Sequence, residues 1–244
     1  MKREQSLSRR RLLQLSGVVV GSAAVSACTV SITPNGMPMT TAPTPEVDVA
    51  NPEAALDRLL AGNERFAANM AQEPNHSSAR RMMVAGGQHP FATIFSCVDS
   101  RVPPELVFDR GLGDLFVIRT AGHVIDNAVL GSLEFGVAEL GIPLLMVLGH
   151  EKCGAVKATI ETIETAMTAP AQIGTLVEAI TPAVEAAHSQ SGDLLDNAIR
   201  ANTRLVVEQL MNTPILSEAV ANGHLLIVGG RYDLDTGKVE MVMP

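Results

Sequence analysis

The chain has 244 residues, 46% hydrophobic and 18% charged, which is enough for one buried core with appendages. With no Trp, one Tyr and six Phe, the core must be aliphatic, and the composition argues against a base-stacking nucleic-acid platform. The formal charge is −8; residues 1–27 carry five basic and one acidic side chain, so the remainder stands at −12, the wrong sign for a nucleic-acid partner.

In chain order, the first element is an address. "MKREQSLSRRRLLQLSGVVVGSAAVSAC" places a basic stretch before an apolar run from Leu12 to Val25, followed by small residues. That is the order of a secretory signal, and the run is short for a membrane span, although an uncleaved anchor is the alternative. "SRRRLL" (Ser8 to Leu13) resembles a bacterial twin-arginine export signal, with Arg9 and Arg10 as the pair. "VSAC" (Val25 to Cys28) resembles a lipoprotein processing box, with Cys28 either lipidated and holding the protein to a membrane or incidental to an ordinary cleavage site. The expected location is across the bacterial inner membrane, periplasmic or on the cell surface. Residues 29–50 are rich in Thr and Pro and read as a tether. The folded domain is expected over 51–244.

Asn51 and Pro52 suit the start of a helix whose Leu56, Leu59 and Leu60 share a face. Residues 74–90 read as a polar connection with a short helix. "FATIFSC" (91–97), "LFVIRTA" (115–121) and "IPLLMVLGH" (142–150) are apolar, partly β-branched runs of buried-strand length. Between the last two, Leu130, Leu133, Val137 and Leu140 repeat at helical spacing and Gly141 can end the helix. Residues 157–213 turn mostly helical, with a stripe of Leu195, Ile199, Val206 and Leu210. Within them 164–192 holds Pro170 and Pro182 and reads as a variable excursion. Residues 225–243 give a strand, a turn at Asp235–Gly237 and a last strand. Strands alternating with helices predict an α/β fold with a mostly parallel central sheet flanked by helices.

In such sheets, sites lie outside the carboxyl ends of strands. Cys97 ends one apolar run and His150 another, and Cys153 follows His150 by three residues, a spacing that one helical turn would aim at one point. Two thiolates and an imidazole suit zinc, and three protein ligands leave a fourth position open, as catalytic zinc requires. The same two cysteines in an exported protein could instead form a disulfide, and spacing alone does not choose between these.

"CVDSRVPPELVFD", "GDLFVIRTAG", "GSLEFGVAELG" and "GHEKCGAV", in this order, together with "IVGGRYDLDTG", resemble the β-class carbonic anhydrases. The resemblance covers roughly 51–160 and resumes near 227. It implies one zinc ion per chain held by Cys97, His150 and Cys153, and an aspartate–arginine dyad of Asp99 and Arg101. It implies reversible hydration of carbon dioxide to bicarbonate by a zinc-bound hydroxide. Asp99 would accept the hydroxide's proton and Arg101 would keep Asp99 ionised. Gln88 matches a family glutamine that hydrogen-bonds bicarbonate, the Gly154 N–H can point to the same place, and Phe116 and Val102 are candidate apolar walls. The family also implies a homodimer or larger homo-oligomer in which one chain supplies Cys97 and its neighbour Gln88 or Phe116.

Two departures stand out. The family's "RNAGN" is "RTAGH" here, which puts His123 where an Asn is usual; a structural histidine is favoured over a proton relay. Members inhibited by bicarbonate carry a Trp three residues before the first zinc cysteine, whereas this chain has Ile94, so the aspartate is expected off the metal. The competing readings are a hydrolase of carbonyl sulfide or carbon disulfide on the same fold, and a noncatalytic zinc or thiol sensor.

Overall fold

The computed structural model describes residues 51–243. The export signal, Cys28 and the tether lie outside the described residues.

Four short apolar runs become four parallel strands: β1 (Ala92–Cys97), β2 (Leu115–Thr120), β3 (Leu144–His150) and β4 (Leu226–Tyr232). An antiparallel β5 (Val239–Met243) follows β4 through a turn, and the order across the sheet is β2-β1-β3-β4-β5. Period-two geometry sorts β3 cleanly. Leu144, Met146 and Leu148 face a cluster built with Ala55, Leu59 and Phe108, whereas Leu145 and Val147 face one built with Leu133, Val207 and Leu210. Both faces are covered, so β1 and β3 are buried along their whole length.

On the first face lie α1 (Pro52–Ala67) and the one-turn α3 (Pro104–Val107); α2 (Ser78–Val84) stands between them in the chain. The Asn51 side chain caps α1 by accepting from the N–H groups of Glu53 and Ala54. On the other face lie α4 (Asn127–Ala138), α7 (Leu194–Met211) and α8 (Pro214–Ala221). A third cluster joins α5 (Gly154–Thr165), α6 (Ile173–Ala187) and α7 around Val156, Ile180, Val184 and Ile199, and it includes Cys97 and Cys153. The metal-ligating candidates thus sit where helices close over the carboxyl end of the sheet.

The architecture agrees with the α/β expectation, and three details differ. The stretch 164–192, expected to be an excursion, holds the 15-residue α6 with Pro182 inside it. A mid-helix proline costs about 3 kcal/mol, but burial of Ile180, Ala183, Val184 and Ala187 opposes it. The helical region also extends past 213 into α8, which Pro214 starts. Finally, no helical turn links His150 to Cys153: β3 ends at His150, Lys152 is left-handed (φ 54°), and Cys153 is the N-cap of α5. A strand–turn–helix corner aims the two side chains together.

α7 approaches the end of β3 so closely that a Cβ on Gly149 would lie 2.4 Å from Thr203 Oγ1. Among the described residues, no helix is long and apolar enough to cross a membrane.

Candidate metal centre

Cys97, His150 and Cys153 come together from the ends of β1, β3 and the first residue before α5, with one ligand atom of each within 4.8 Å of the others. Edges of a tetrahedral Cys₂His zinc site are about 3.5–3.8 Å, so the cluster has the required scale. All three residues are buried, and both cysteines are free thiols.

The ring of His150 tests the fit. Its Nδ1 lies 2.9 Å from the Glu151 carbonyl oxygen, which can only accept, so Nδ1 carries the hydrogen. Nε2 therefore presents its lone pair, and it is buried with no hydrogen-bond partner among the described residues. A buried partnerless lone pair facing two sulfurs is the arrangement a metal satisfies, and the carbonyl on Nδ1 is the usual outer support of a metal histidine.

The sulfurs agree with the imidazole. As bare thiols the two share one proton. Cys97 is drawn well down, first by the hydrogen bond from Cys153, while Cys153 is pushed up, first by that same bond and then by burial. A dication between them would ionise both. Cys153 also sits at the N-terminus of α5, whose dipole favours a thiolate. Gly122 donates its N–H to Cys97 Sγ at 3.3 Å.

Asp99 and Arg101 lie on the loop after β1 and form a two-pronged pair. Arg101 Nε donates to Asp99 Oδ1 (2.9 Å) and Nη2 to Oδ2 (2.7 Å), and the Arg101 backbone N–H donates to Oδ1 (2.9 Å). These bonds hold the Asp99 carboxyl at about 2, well below its ordinary value. Oδ2 stands 3.9 Å from His150 Nε2, so the carboxylate borders the cluster while engaged with Arg101.

Gly154 opens α5 and is exposed; a Cβ there would meet nothing within 4 Å, so open space lies beside Cys153. Val102 is fully buried in the core under α1. Gln88 and Phe116 are not brought to this cluster within the chain. Gln88 is exposed on the loop before β1, at the end opposite Cys97. Phe116 pairs in register with Thr93, four residues before Cys97, and its ring lies against Gly136 of α4.

Comparison with known proteins decides the family. Residues 92–239 match the family model described as carbonic anhydrase. The chain belongs to the carbonic anhydrase family, in its β class. It is 44% identical over 189 residues to carbonic anhydrase 2 of Mycobacterium tuberculosis, spanning 77% of this chain and 91% of that protein. It is 42% identical to the carbonic anhydrase of Mycolicibacterium smegmatis, spanning 79% and 94% of the two chains. Among solved structures, the Coccomyxa β-carbonic anhydrase in complex with acetazolamide superposes with a TM-score of 0.60 at 28% identity, over 76% of this chain and 85% of that one. A tetrameric β-carbonic anhydrase of Sordaria macrospora shares the fold, with a TM-score of 0.60 at 22% identity, over 77% and 96%.

Three residues with a place at this carbonic anhydrase cluster had no role assigned from the sequence. Arg119 donates from Nε to the Cys97 carbonyl (2.9 Å) and from Nη2 to the Asp99 carbonyl (2.6 Å), bracing the loop that carries the dyad. Gly122 holds Cys97 Sγ through its N–H. Both stand in the "RTAG" segment, so a signal was present. The third, Asn202, lies in the middle of α7 with no motif around it. His123 is fully enclosed, edge-on to Phe95, and burial lowers its pKa to about 4, so it is neutral at working pH. That suits a structural histidine rather than a relay.

Proposed function

We propose that this chain is a zinc enzyme that hydrates carbon dioxide reversibly to bicarbonate and a proton, with one zinc per chain held by Cys97 Sγ, His150 Nε2 and Cys153 Sγ. The observation that carries the reading is the buried, partnerless lone pair of His150 Nε2, grouped with two thiols and bordered by an ionised Asp99. Zinc bound there would supply a nucleophile near neutral pH by lowering the pKa of a water, to about 7 in the histidine-ligated carbonic anhydrases for which that value is established.

The residues around it have separate tasks. Asp99 Oδ2 is an anion and can only accept, so it would accept a hydrogen bond from the attacking hydroxyl, leaving the proton there and turning a lone pair toward the substrate carbon. Arg101 keeps that carboxylate ionised and engaged. Arg119 fixes the backbone on which Asp99 stands. The Gly154 N–H, at the free N-terminus of α5, suits an oxygen of bicarbonate.

Gln88 and Phe116 would complete the site from a second copy of the chain. The exposed Met82 and Met83 on α2 and Leu106 on α3 supply apolar area for such pairing.

The test is stopped-flow hydration of carbon dioxide by purified protein with its zinc counted. Fast hydration with about one zinc per chain is expected. Zinc without hydration, but with turnover of carbonyl sulfide or carbon disulfide, would replace the substrate. Cys97 disulfide-bonded to Cys153, without zinc, would overturn the reading.

A further inference from the structure

We propose that Asn202 is a positioning residue for the Cys97 thiolate, acting through the backbone of Gly122, with His123 fixing the Asn202 amide. This rests on the reading of Cys97 as a zinc ligand.

A thiolate that accepts an N–H bond gives less charge to a metal and has its sulfur fixed in direction. At Cys97 that donor is the Gly122 amide, on the 3₁₀ turn Ala121–His123 after β2. The amide is aimed at the sulfur by an unusual backbone. Gly122 is left-handed (φ 64°), and a Cβ there would lie 2.6 Å from Ile180 Cδ1, so the position requires glycine. His123 is left-handed as well (φ 45°), which a residue with a Cβ adopts only when its surroundings hold it there.

What holds the turn comes from a different part of the chain. The Asn202 Nδ2 group has two hydrogens, and the turn takes both: one goes to the Gly122 carbonyl (2.9 Å) and one to His123 Nε2 (2.9 Å). The carbonyl can only accept, which fixes the orientation of the Asn202 amide. The same peptide turn thus receives a bond from α7 on its oxygen side and gives one to the metal-holding sulfur on its nitrogen side.

The polar groups involved are expensive where they stand. Asn202 is 4% exposed, on a helix face whose neighbours Ile199, Val206 and Leu210 are apolar. His123 Nδ1, which carries the ring hydrogen once Nε2 accepts, is buried with no partner among the described residues. A core needing only to be filled would do better with an aliphatic residue at 202. The Asn–His pair has a use if the turn must be held in one geometry, and that geometry sets the Gly122 N–H on Cys97.

A residue that merely stabilises the fold would not single out the metal, and the experiment separates the two. Full-length protein loaded with zinc is compared with Asn202→Ala and with Val206→Ala, a cavity one helical turn along α7 in the other core cluster. Two quantities are read: the rate of zinc transfer to a chromophoric chelator, and the thiolate-to-metal charge-transfer band after cobalt substitution. Asn202→Ala is expected to release zinc at least about tenfold faster and to shift the band, whereas Val206→Ala leaves both near wild type. Release and band unchanged in Asn202→Ala, or changed equally in Val206→Ala, would overturn the proposal. If Asn202→Ala does not fold, His123→Asn removes one arm of the pair while keeping a residue that tolerates the left-handed turn. It should accelerate release in the same direction by a smaller factor, and wild-type release would again overturn the proposal. Wild-type protein that binds no zinc at all would instead sink the metal reading itself, and this proposal with it.

Discussion

The charge on Asp99 is set by neighbours two residues away. Three hydrogen bonds from Arg101 favour the anion, and its pKa falls to about 2. A depressed carboxylate is ionised at every pH above that value and loses its charge only as pH falls through it. Between pH 6 and 9 Asp99 therefore does not titrate, and any inflection of rate in that range belongs to another group. Two variants follow. Asp99→Ala should lower kcat/KM by about 10²–10⁴ and leave the zinc content intact, because the residue is outside the ligand cluster. Arg101→Gln should slow hydration without moving the pH profile, since a carboxyl returned to about 3.9 is still ionised at pH 6. A profile displaced within that range would show that Arg101 tunes the nucleophile, which a residue that only holds the carboxylate cannot do. At this scale the sequence was legible where chemistry is written in short spacings. Cys97, Asp99 and Arg101 share five residues, and His150 and Cys153 share four. Asn202 was not legible, because its partners are 79 and 80 residues away and an Asn in an amphipathic helix has no local signature.

At the scale of elements, the apolar runs gave away the strands, most clearly β1 and β3, which are buried on both faces, and length then separates strand from helix. α6 stayed hidden because its local signals conflict. Pro182, Gly174 and the β-branched Thr175, Val177, Ile180 and Thr181 argue against a helix, while the burial that stabilises it comes from α5 and α7. The corner between His150 and Cys153 shows a related limit. The spacing of three suits a helical turn as well as a strand–turn–helix corner, and only the left-handed Lys152 distinguishes them. Close packing of α7 on β3 is another feature that spacing does not display, and it can be measured. Gly149→Ala would set a methyl 2.4 Å from Thr203 Oγ1, and should cost about 1–3 kcal/mol, read as a fall in the denaturant midpoint. Among the described residues Thr203 Oγ1 otherwise bonds to Ile199 O in its own helix, so Thr203→Ala alone should cost little. The double variant should recover most of the Gly149→Ala loss. Additive losses would mean that the clash is not what glycine avoids.

At the scale of the molecule, the residues assigned to one site do not meet in one chain. Cys97 ends β1, and the strand from Ala92 to Cys97 is about 16 Å long. Gln88 precedes that strand, and the chain is pinned between them by the Phe91 N–H on the Asp114 carbonyl. Phe116 lies in register with Thr93, about 13 Å back along the sheet from Cys97. Both residues therefore belong to the opposite end of the sheet from their own metal cluster, and a role at a metal site requires a neighbouring chain. A mixed oligomer decides this. One chain carries Cys97→Ser, which removes its metal site, and a second carries Gln88→Ala; different affinity tags allow the oligomers containing both to be isolated. Each parent must first be slow by itself, and a Gln88→Ala parent at the wild-type rate would remove Gln88 from the mechanism. In the mixed dimer the zinc of the Gln88→Ala chain faces an intact Gln88 on its partner. If glutamine acts across the interface, about half of the wild-type sites are restored, although neither chain is competent. If it acts within its own chain, no site has both zinc and glutamine, and the mixed protein stays as slow as its parents.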